Sequence, residues 1–141
     1  MSKEVRIYIN NDLDVVNARM QARQVARQMG FGTADQARIS LAASELANVL
    51  SWNTGEPGEL VLSEVHRDEK AGLQVMCTID MATIPLNQEE GERSGPANAA
   101  SPLYGLEQNQ NLSSACRLVD ESFIEAKNER YTRITLIKFK Q

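Results

Sequence analysis

The side chains able to do redox or metal chemistry are few in this sequence. It holds two cysteines, Cys77 and Cys116, and one histidine, His66. The cysteines lie far apart, so they form neither a CxxC redox pair nor, with one histidine, a Cys/His zinc site. A catalytic triad that uses histidine as its base is equally disfavoured. We therefore predict no metal ligands.

Three arginines recur every four residues in the first predicted helix: Arg19, Arg23 and Arg27. This spacing places them opposite the apolar stripe of the same helix. A solvated helix face is one interpretation. A docking surface for a protein is the other, because the planar guanidinium group suits acidic or carbonyl-lined partner surfaces.

Composition narrows the class of protein. The 141 residues fit one domain, and 42% hydrophobic with 24% charged residues is a balance typical of globular proteins. No apolar run approaches the roughly 18 residues of a membrane span, and residues 1–6 do not read as a secretion signal. We therefore expect a cytoplasmic protein with no membrane partner. The net charge of −4 argues against a nucleic-acid partner.

Periodicity divides the chain into helices and strands. Alternating apolar residues predict strands, and apolar residues at helical spacing predict helices. In chain order the predictions are a strand at 5–9, a helix from about 12 to 29, a helix from 33 to about 52, strands at 60–67 and 73–80 joined by a turn at 68–72, a helix around 112–119, and strands at 123–127 and 131–139. This order predicts a two-layer α/β sandwich, in which about three helices cover one face of a mixed, mostly antiparallel sheet.

The segment 87–111 has neither period and is rich in Glu, Gly, Ser, Pro, Ala, Gln and Asn. A structureless stretch of this length inside a compact domain is usually a lid, a binding loop or a disordered segment. We predict a mobile lid at 87–111 within a single domain spanning residues 1–141.

Three segments resemble a known family. Residues 14–19, 29–39 and 44–47 read DVVNAR, MGFGTADQARI and SELA. They resemble the RsbT serine kinases of bacterial partner-switching pathways, which belong with the RsbW-like anti-sigma-factor kinases and the wider GHKL, or histidine-kinase-like, ATPase fold. The likeness is close from residue 12 to 47 and returns in the last strand. It implies the GHKL fold, with ATP and Mg²⁺ as the cofactors of active members.

The resemblance assigns roles on the second helix. Glu45 matches the family's acidic residue, which is thought to position or deprotonate the attacking hydroxyl group. The asparagine that holds Mg²⁺ in the family falls on Val49. Asn48 is adjacent, but one residue is about 100° around the helix axis, and Mg²⁺ tolerates little error in ligand geometry. Asn48 is a candidate cofactor-binding residue, and we favour an ordinary polar role for it.

At the adenine end, residues 80–85 match the family's DxGxG turn. The resemblance implies that Asp80 hydrogen-bonds the adenine amino group, but both glycines are replaced, and a side chain there would intrude on the ligand. Thr132 in the last strand matches a threonine that supports this aspartate through water. A threonine alone is simply well suited to a strand.

The family's glycine-rich phosphate loop aligns with residues 107–111, which read EQNQN and contain no glycine. Asn109 and Asn111 could keep part of the turn, because asparagine tolerates left-handed backbone conformations better than most residues. A bulky loop of this kind makes a poor phosphate cradle.

The favoured function is a partner-switching regulator that acts mainly by binding proteins, with ATP binding and kinase activity weakened or lost. The expected partners are a STAS-domain protein, a sigma factor or a phosphatase regulatory domain. Anti-sigma kinases of the family use an arginine matching Arg19 to grip their partners, and Arg23 and Arg27 extend that surface. The alternatives are an active serine/threonine kinase that phosphorylates a STAS-domain protein and an adenine-nucleoside sensor. Homodimer formation stays open.

Overall fold

A computed structural model of the protein describes residues 4–51, 58–81 and 109–140. Within these ranges the chain forms three helices and five strands in the predicted order βααββαββ, which is therefore confirmed. In chain order they are β1 (Glu4–Ile9), α1 (Asp12–Met29), α2 (Thr33–Leu50), β2 (Gly58–Arg67), β3 (Lys70–Asp80), α3 (Gln110–Arg117), β4 (Glu121–Ala126) and β5 (Tyr131–Phe139).

The strands form one sheet in the order β1-β2-β3-β5-β4. Each of its four neighbouring pairs is antiparallel. The prediction of a mixed sheet is wrong for the described strands. The physical reason is that β2–β3 and β4–β5 are hairpins, in which a tight turn forces the chain to reverse, and β5 then inserts beside β3 in the opposite direction.

One face of the sheet packs against the helices. The alternate residues of each strand that point to this face join the apolar residues of α1 and α2 in a single buried cluster. This arrangement confirms the α/β class of the prediction, with helices on one side of the sheet. None of the helices in the described ranges is long and apolar enough to cross a membrane.

The α1–α2 connection is a tight turn at residues 30–32. Gly30 adopts a left-handed φ of 92° and closes the carbonyl end of α1 by hydrogen bonds to Ala26 and Arg27. A side chain would be strained at this φ, which explains the glycine. Gly32 is the N-cap of α2, so the helix starts at Thr33 as predicted, and it ends at Leu50, two residues before the predicted end.

Two other boundaries differ from the prediction. The β2–β3 turn has two residues instead of five: Asp68 and Glu69 carry positive φ angles of 51° and 70°, while Arg67 pairs with Lys70. Twisted hairpins favour such turns because their backbone matches the strand twist. The third helix begins at Gln110, so residues 109–111 of the predicted lid belong to α3 and its cap. The rest of the predicted lid, residues 87–108, lies outside the described residues.

A buried lysine ties the start of α2 to the sheet. The Lys138 side chain is 8% exposed, and its Nζ lies 3.2 Å from Asp120 Oδ1 and 3.7 Å from Asp35 Oδ1. Asp120 Oδ2 also accepts a hydrogen bond of 2.7 Å from the backbone N–H of Phe139. These contacts fix the first turn of α2 against the last strand.

Candidate functional site

The candidate phosphate and metal end of the site lies on α2. Glu45 and Asn48 are half-buried, whereas Val49 is fully buried in the hydrophobic core with 0% exposure. The core side of α2 also holds Leu46 and Leu50, so the helical period turns residue 49 toward the sheet. A valine has no atom that can bind Mg²⁺. The position that the resemblance assigns to the metal ligand is therefore occupied by a core residue.

The candidate adenine end lies where β3 and β5 run side by side. Thr132 pairs with Ile79, and both are buried, with 2% and 0% exposure. Asp80 pairs with Tyr131 instead. Because successive side chains of a strand point to opposite faces of the sheet, Asp80 and Thr132 point to different faces. The structure does not bring these two predicted adenine contacts together.

Asp80 is engaged by Arg130. The Arg130 guanidinium donates from Nε to both Asp80 carboxylate oxygens at 3.1 Å and from Nη2 to Oδ2 at 2.8 Å. Its Cζ also lies 5.3 Å from the centroid of the Tyr131 ring. The backbone holds this arrangement, since the Arg130 N–H donates to Asn128 Oδ1 at 2.8 Å and the Met81 N–H donates to the Arg130 carbonyl at 2.6 Å. A bidentate ion pair thus occupies the carboxylate that the sequence assigned to adenine.

The described part of the candidate phosphate loop has taken another role. The Asn109 side chain accepts a hydrogen bond of 2.9 Å from the Leu112 N–H and so caps α3. Asn111 lies in the first turn of that helix. An N-cap side chain satisfies a backbone donor that would otherwise be free for an anion. The other two residues of this loop, 107 and 108, lie outside the described residues.

The three predicted docking arginines of α1 share an exposed surface. Arg19, Arg23 and Arg27 are all exposed, as the sequence predicts for the side opposite the apolar stripe. The carbonyl of Arg19 accepts a hydrogen bond of 3.2 Å from Ser40 Oγ, which fixes α1 against α2. Partner binding by these side chains stays a prediction, because their exposure fits both a solvated face and a docking surface.

Sequence reasoning missed two features of the molecule. One is the Arg130–Asp80 pair, which no spacing rule indicates, since the two residues are 50 positions apart. The other is an apolar set on the outer side of α1, formed by Leu13, Val16 and Met20, which are 78%, 50% and 64% exposed. Their spacing of three and four residues is readable in the sequence as a second stripe, opposite the buried one.

Among residues 4–51, 58–81 and 109–140, no group of three or more His, Cys, Asp or Glu side chains could hold a metal ion. His66 Nε2 lies 3.0 Å from Glu64 Oε2 on an exposed stretch of β2. Of the two cysteines, Cys77 is buried in the core and Cys116 is half-buried on α3.

The fold and the candidate site define an α/β protein with helices on one face of an antiparallel sheet and an acidic residue, Glu45, on the second helix. No protein-family model matches the chain. The chain is similar to the serine/threonine-protein kinase RsbT of Bacillus subtilis (strain 168), with 32% identity over 139 residues that cover 99% of this chain and 98% of the relative. The chain therefore belongs to the RsbT-like family, and the resemblance stated from three short segments is confirmed.

Proposed function

We propose that this protein is a partner-switching signalling regulator that acts mainly by binding other proteins, and that its ATP binding and kinase activity are weakened or lost. Family membership supports the signalling role. The observation that carries the loss of chemistry is Val49, a fully buried core residue at the position assigned to the metal ligand. The two parts of the proposal therefore rest on independent observations.

The energetic argument concerns how phosphoryl transfer is catalysed. The reaction depends almost entirely on positioning and on stabilisation of charge by metal ions and backbone donors. With Val49 in the core, α2 offers no ligand at the expected angle, and Asn48 points about 100° away from it around the helix axis. Glu45 can orient a hydroxyl group, but it cannot neutralise the charge of a triphosphate.

The adenine end supports the same proposal. The β3 residue paired with Thr132 is Ile79, which has no hydrogen-bonding side chain. Asp80 carries the only carboxylate that the sequence assigned to adenine, and it is paired with Arg130. A base that donates a hydrogen bond to Asp80 would compete with this ion pair, whose arginine is exposed to solvent. The residues in the described ranges do not fit an adenine nucleotide in the manner that the resemblance implies.

Protein binding requires only an exposed surface of the right chemistry. The proposed partners are a STAS-domain protein, a sigma factor or a phosphatase regulatory domain. Arg19, Arg23 and Arg27 supply guanidinium groups that suit acidic surfaces on such partners. In this proposal the signalling output depends on which partner the protein binds.

Isothermal titration calorimetry tests the proposal with three probes: ATP with Mg²⁺, ATP with a chelator, and adenosine. We expect no saturable heat from any of them in the millimolar range. Tight ATP binding that depends on Mg²⁺ would contradict the proposal. Adenosine binding with no contribution from the phosphates would indicate a nucleoside sensor instead.

An active kinase is the second candidate, and Glu45 favours it. This carboxylate is half-buried on α2 at the family's acidic position, and the Bacillus subtilis relative is named a serine/threonine-protein kinase. Transfer of radiolabelled phosphate to a STAS-domain protein decides between the candidates, with Glu45→Gln as the control. Label that disappears in Glu45→Gln would establish the kinase, whereas no label with the natural protein supports the binding function.

A further inference from the structure

The first half of α1 exposes an apolar surface to solvent. Leu13, Val16 and Met20 lie on the side opposite the buried residues of the helix and are 78%, 50% and 64% exposed. Scattered apolar side chains are normal on protein surfaces, but three large ones in successive turns of one helix face form a continuous patch. The free energy falls when a partner removes such an apolar patch from water.

The second half of the same face is basic. Met20, Arg23, Gln24 and Arg27 line a shallow concavity of about 340 Å³. Neither Arg23 nor Arg27 forms an ion pair within the part of the chain that the structure describes. Elsewhere in that part, four exposed arginines have carboxylate partners and exposed Arg117 has none; the four are Arg6, Arg38, Arg67 and Arg130. The α1 arginines are therefore available to the carboxylates of another molecule.

The two halves meet at Met20, which belongs to the apolar patch and also lines the concavity. Asp12 and Asp14 lie in the first turn of α1, at the apolar end. Carboxylates of a partner are repelled there and attracted at the arginine end, so the charge pattern sets one orientation. A phosphate-rich surface fits less well, because the chain carries a net charge of −4 and places the carboxylate of Asp12 at the apolar end.

We propose that this outer α1 face, formed by Leu13, Val16, Met20, Arg23 and Arg27, binds a segment of a partner protein that presents apolar side chains to the first half and carboxylates to the second. The proposal rests on the proposed function and deepens it by stating the chemistry and direction of the partner. The apolar half holds the complex together. The basic half accelerates association and makes it sensitive to salt, because exposed charges steer encounters and are screened by ions.

Two variants test the face, and a third is their control. Met20→Asp places a charge in the apolar patch, and Arg23→Glu with Arg27→Glu reverses the basic half. Gln28→Glu is the matched control, because it adds a negative charge to the same helix on an exposed position that is about 100° from the centre of the face. All the altered positions are exposed, so we expect the circular dichroism spectrum and the melting temperature to change little.

The probes are the purified STAS-domain proteins, sigma factors and phosphatase regulatory domains encoded by the genome that encodes this chain, with association followed by biolayer interferometry at several salt concentrations. We expect Met20→Asp to weaken binding about tenfold or more, mainly through faster dissociation. The double arginine variant should associate more slowly, with a much smaller salt dependence. Gln28→Glu should bind as the natural protein does.

The outcomes distinguish this inference from the proposed function. If the natural protein binds none of these proteins, both are overturned. If it binds one and the Met20→Asp and arginine variants bind equally well, the inference is overturned while the proposed function stands. Two further controls test other occupants of the face: cosedimentation with anionic vesicles that Met20→Asp abolishes, or a dimer in sedimentation velocity that it dissociates, would also overturn the inference.

Discussion

The two long helices of this protein pack against each other and differ in what their functional positions present. On α1 the arginines and three large apolar side chains stand exposed to solvent, while on α2 the position assigned to the metal ligand is buried in the core. The difference teaches what each function requires. A docking surface needs exposed side chains on one helix, whereas a nucleotide site needs groups from α2, β3, β5 and the loop before α3 in mutual register. In the proposed function, the core residue at position 49 removes the nucleotide site and leaves the docking surface.

The largest expected effect comes from placing the family's asparagine back on α2. Val49→Asn buries an amide in an apolar environment, and we expect it to destabilise the protein by about 2–4 kcal/mol without creating Mg²⁺-dependent ATP binding. Urea denaturation measures the stability and calorimetry the binding. Val49→Thr is the control of similar shape and should cost less. A Val49→Asn protein that is as stable as the natural one and binds ATP with Mg²⁺ would break the comparison, because residue 49 would then face a ligand site.

The next effect concerns the anchor of α2. Lys138→Met removes the buried ammonium group between Asp35 and Asp120, and we expect a loss of about 1–3 kcal/mol because the two carboxylates lose their common partner. Thermal or chemical unfolding measures this loss. Arg38→Met, which removes an exposed partner of Asp35, is the control and should cost less than about 1 kcal/mol. Equal losses in the two variants would show that Lys138 does not anchor α2.

The sequence predicts features that depend on neighbouring residues better than features that depend on residues far apart in the chain. The order of elements depends on local periodicity. The alternation of Val5, Ile7 and Ile9 predicts a strand, and the apolar stripe of α1 predicts a helix. The pairing of Ile79 with Thr132 depends on register between strands far apart in sequence, so motif matching placed Asp80 beside the threonine. The exposed apolar stripe of α1 is also visible in the sequence, but the prediction of the helix used only the buried stripe.

A smaller effect tests the Asp80–Arg130 pair. Arg130→Ala removes the guanidinium group that pairs with Asp80, and we expect a loss of no more than about 1 kcal/mol, because Arg130 is 63% exposed and solvent screens the pair. We also expect no adenosine binding, since Asp80 and Thr132 still point to different sheet faces. Calorimetry with adenosine checks this result. Adenosine binding that appears only in Arg130→Ala would show that the arginine blocks an otherwise complete base site.

The reactivity of the two cysteine thiols measures how well the hydrophobic core is closed, and it needs no substitution. Burial raises the pKa of the Cys77 thiol above its ordinary value, so this thiol stays protonated and unreactive at mildly alkaline pH. Cys116 is half-buried on α3 and should react with a thiol reagent first. We expect one fast thiol in the folded protein and two after denaturation, as followed by absorbance or mass spectrometry. Equal rates for both thiols in the folded protein would show that the sheet face under the helices is open.

The most direct measurement is an NMR titration of the isotope-labelled protein with ATP and Mg²⁺, with the backbone amides of α1, α2, β3 and β5 assigned. The account predicts that the amides around Glu45, Val49 and Asp80 do not shift in a saturable way in the millimolar range, while the same sample shifts along α1 when a STAS-domain partner is added. Saturable, Mg²⁺-dependent shifts centred on α2 and the ends of β3 and β5 would contradict it.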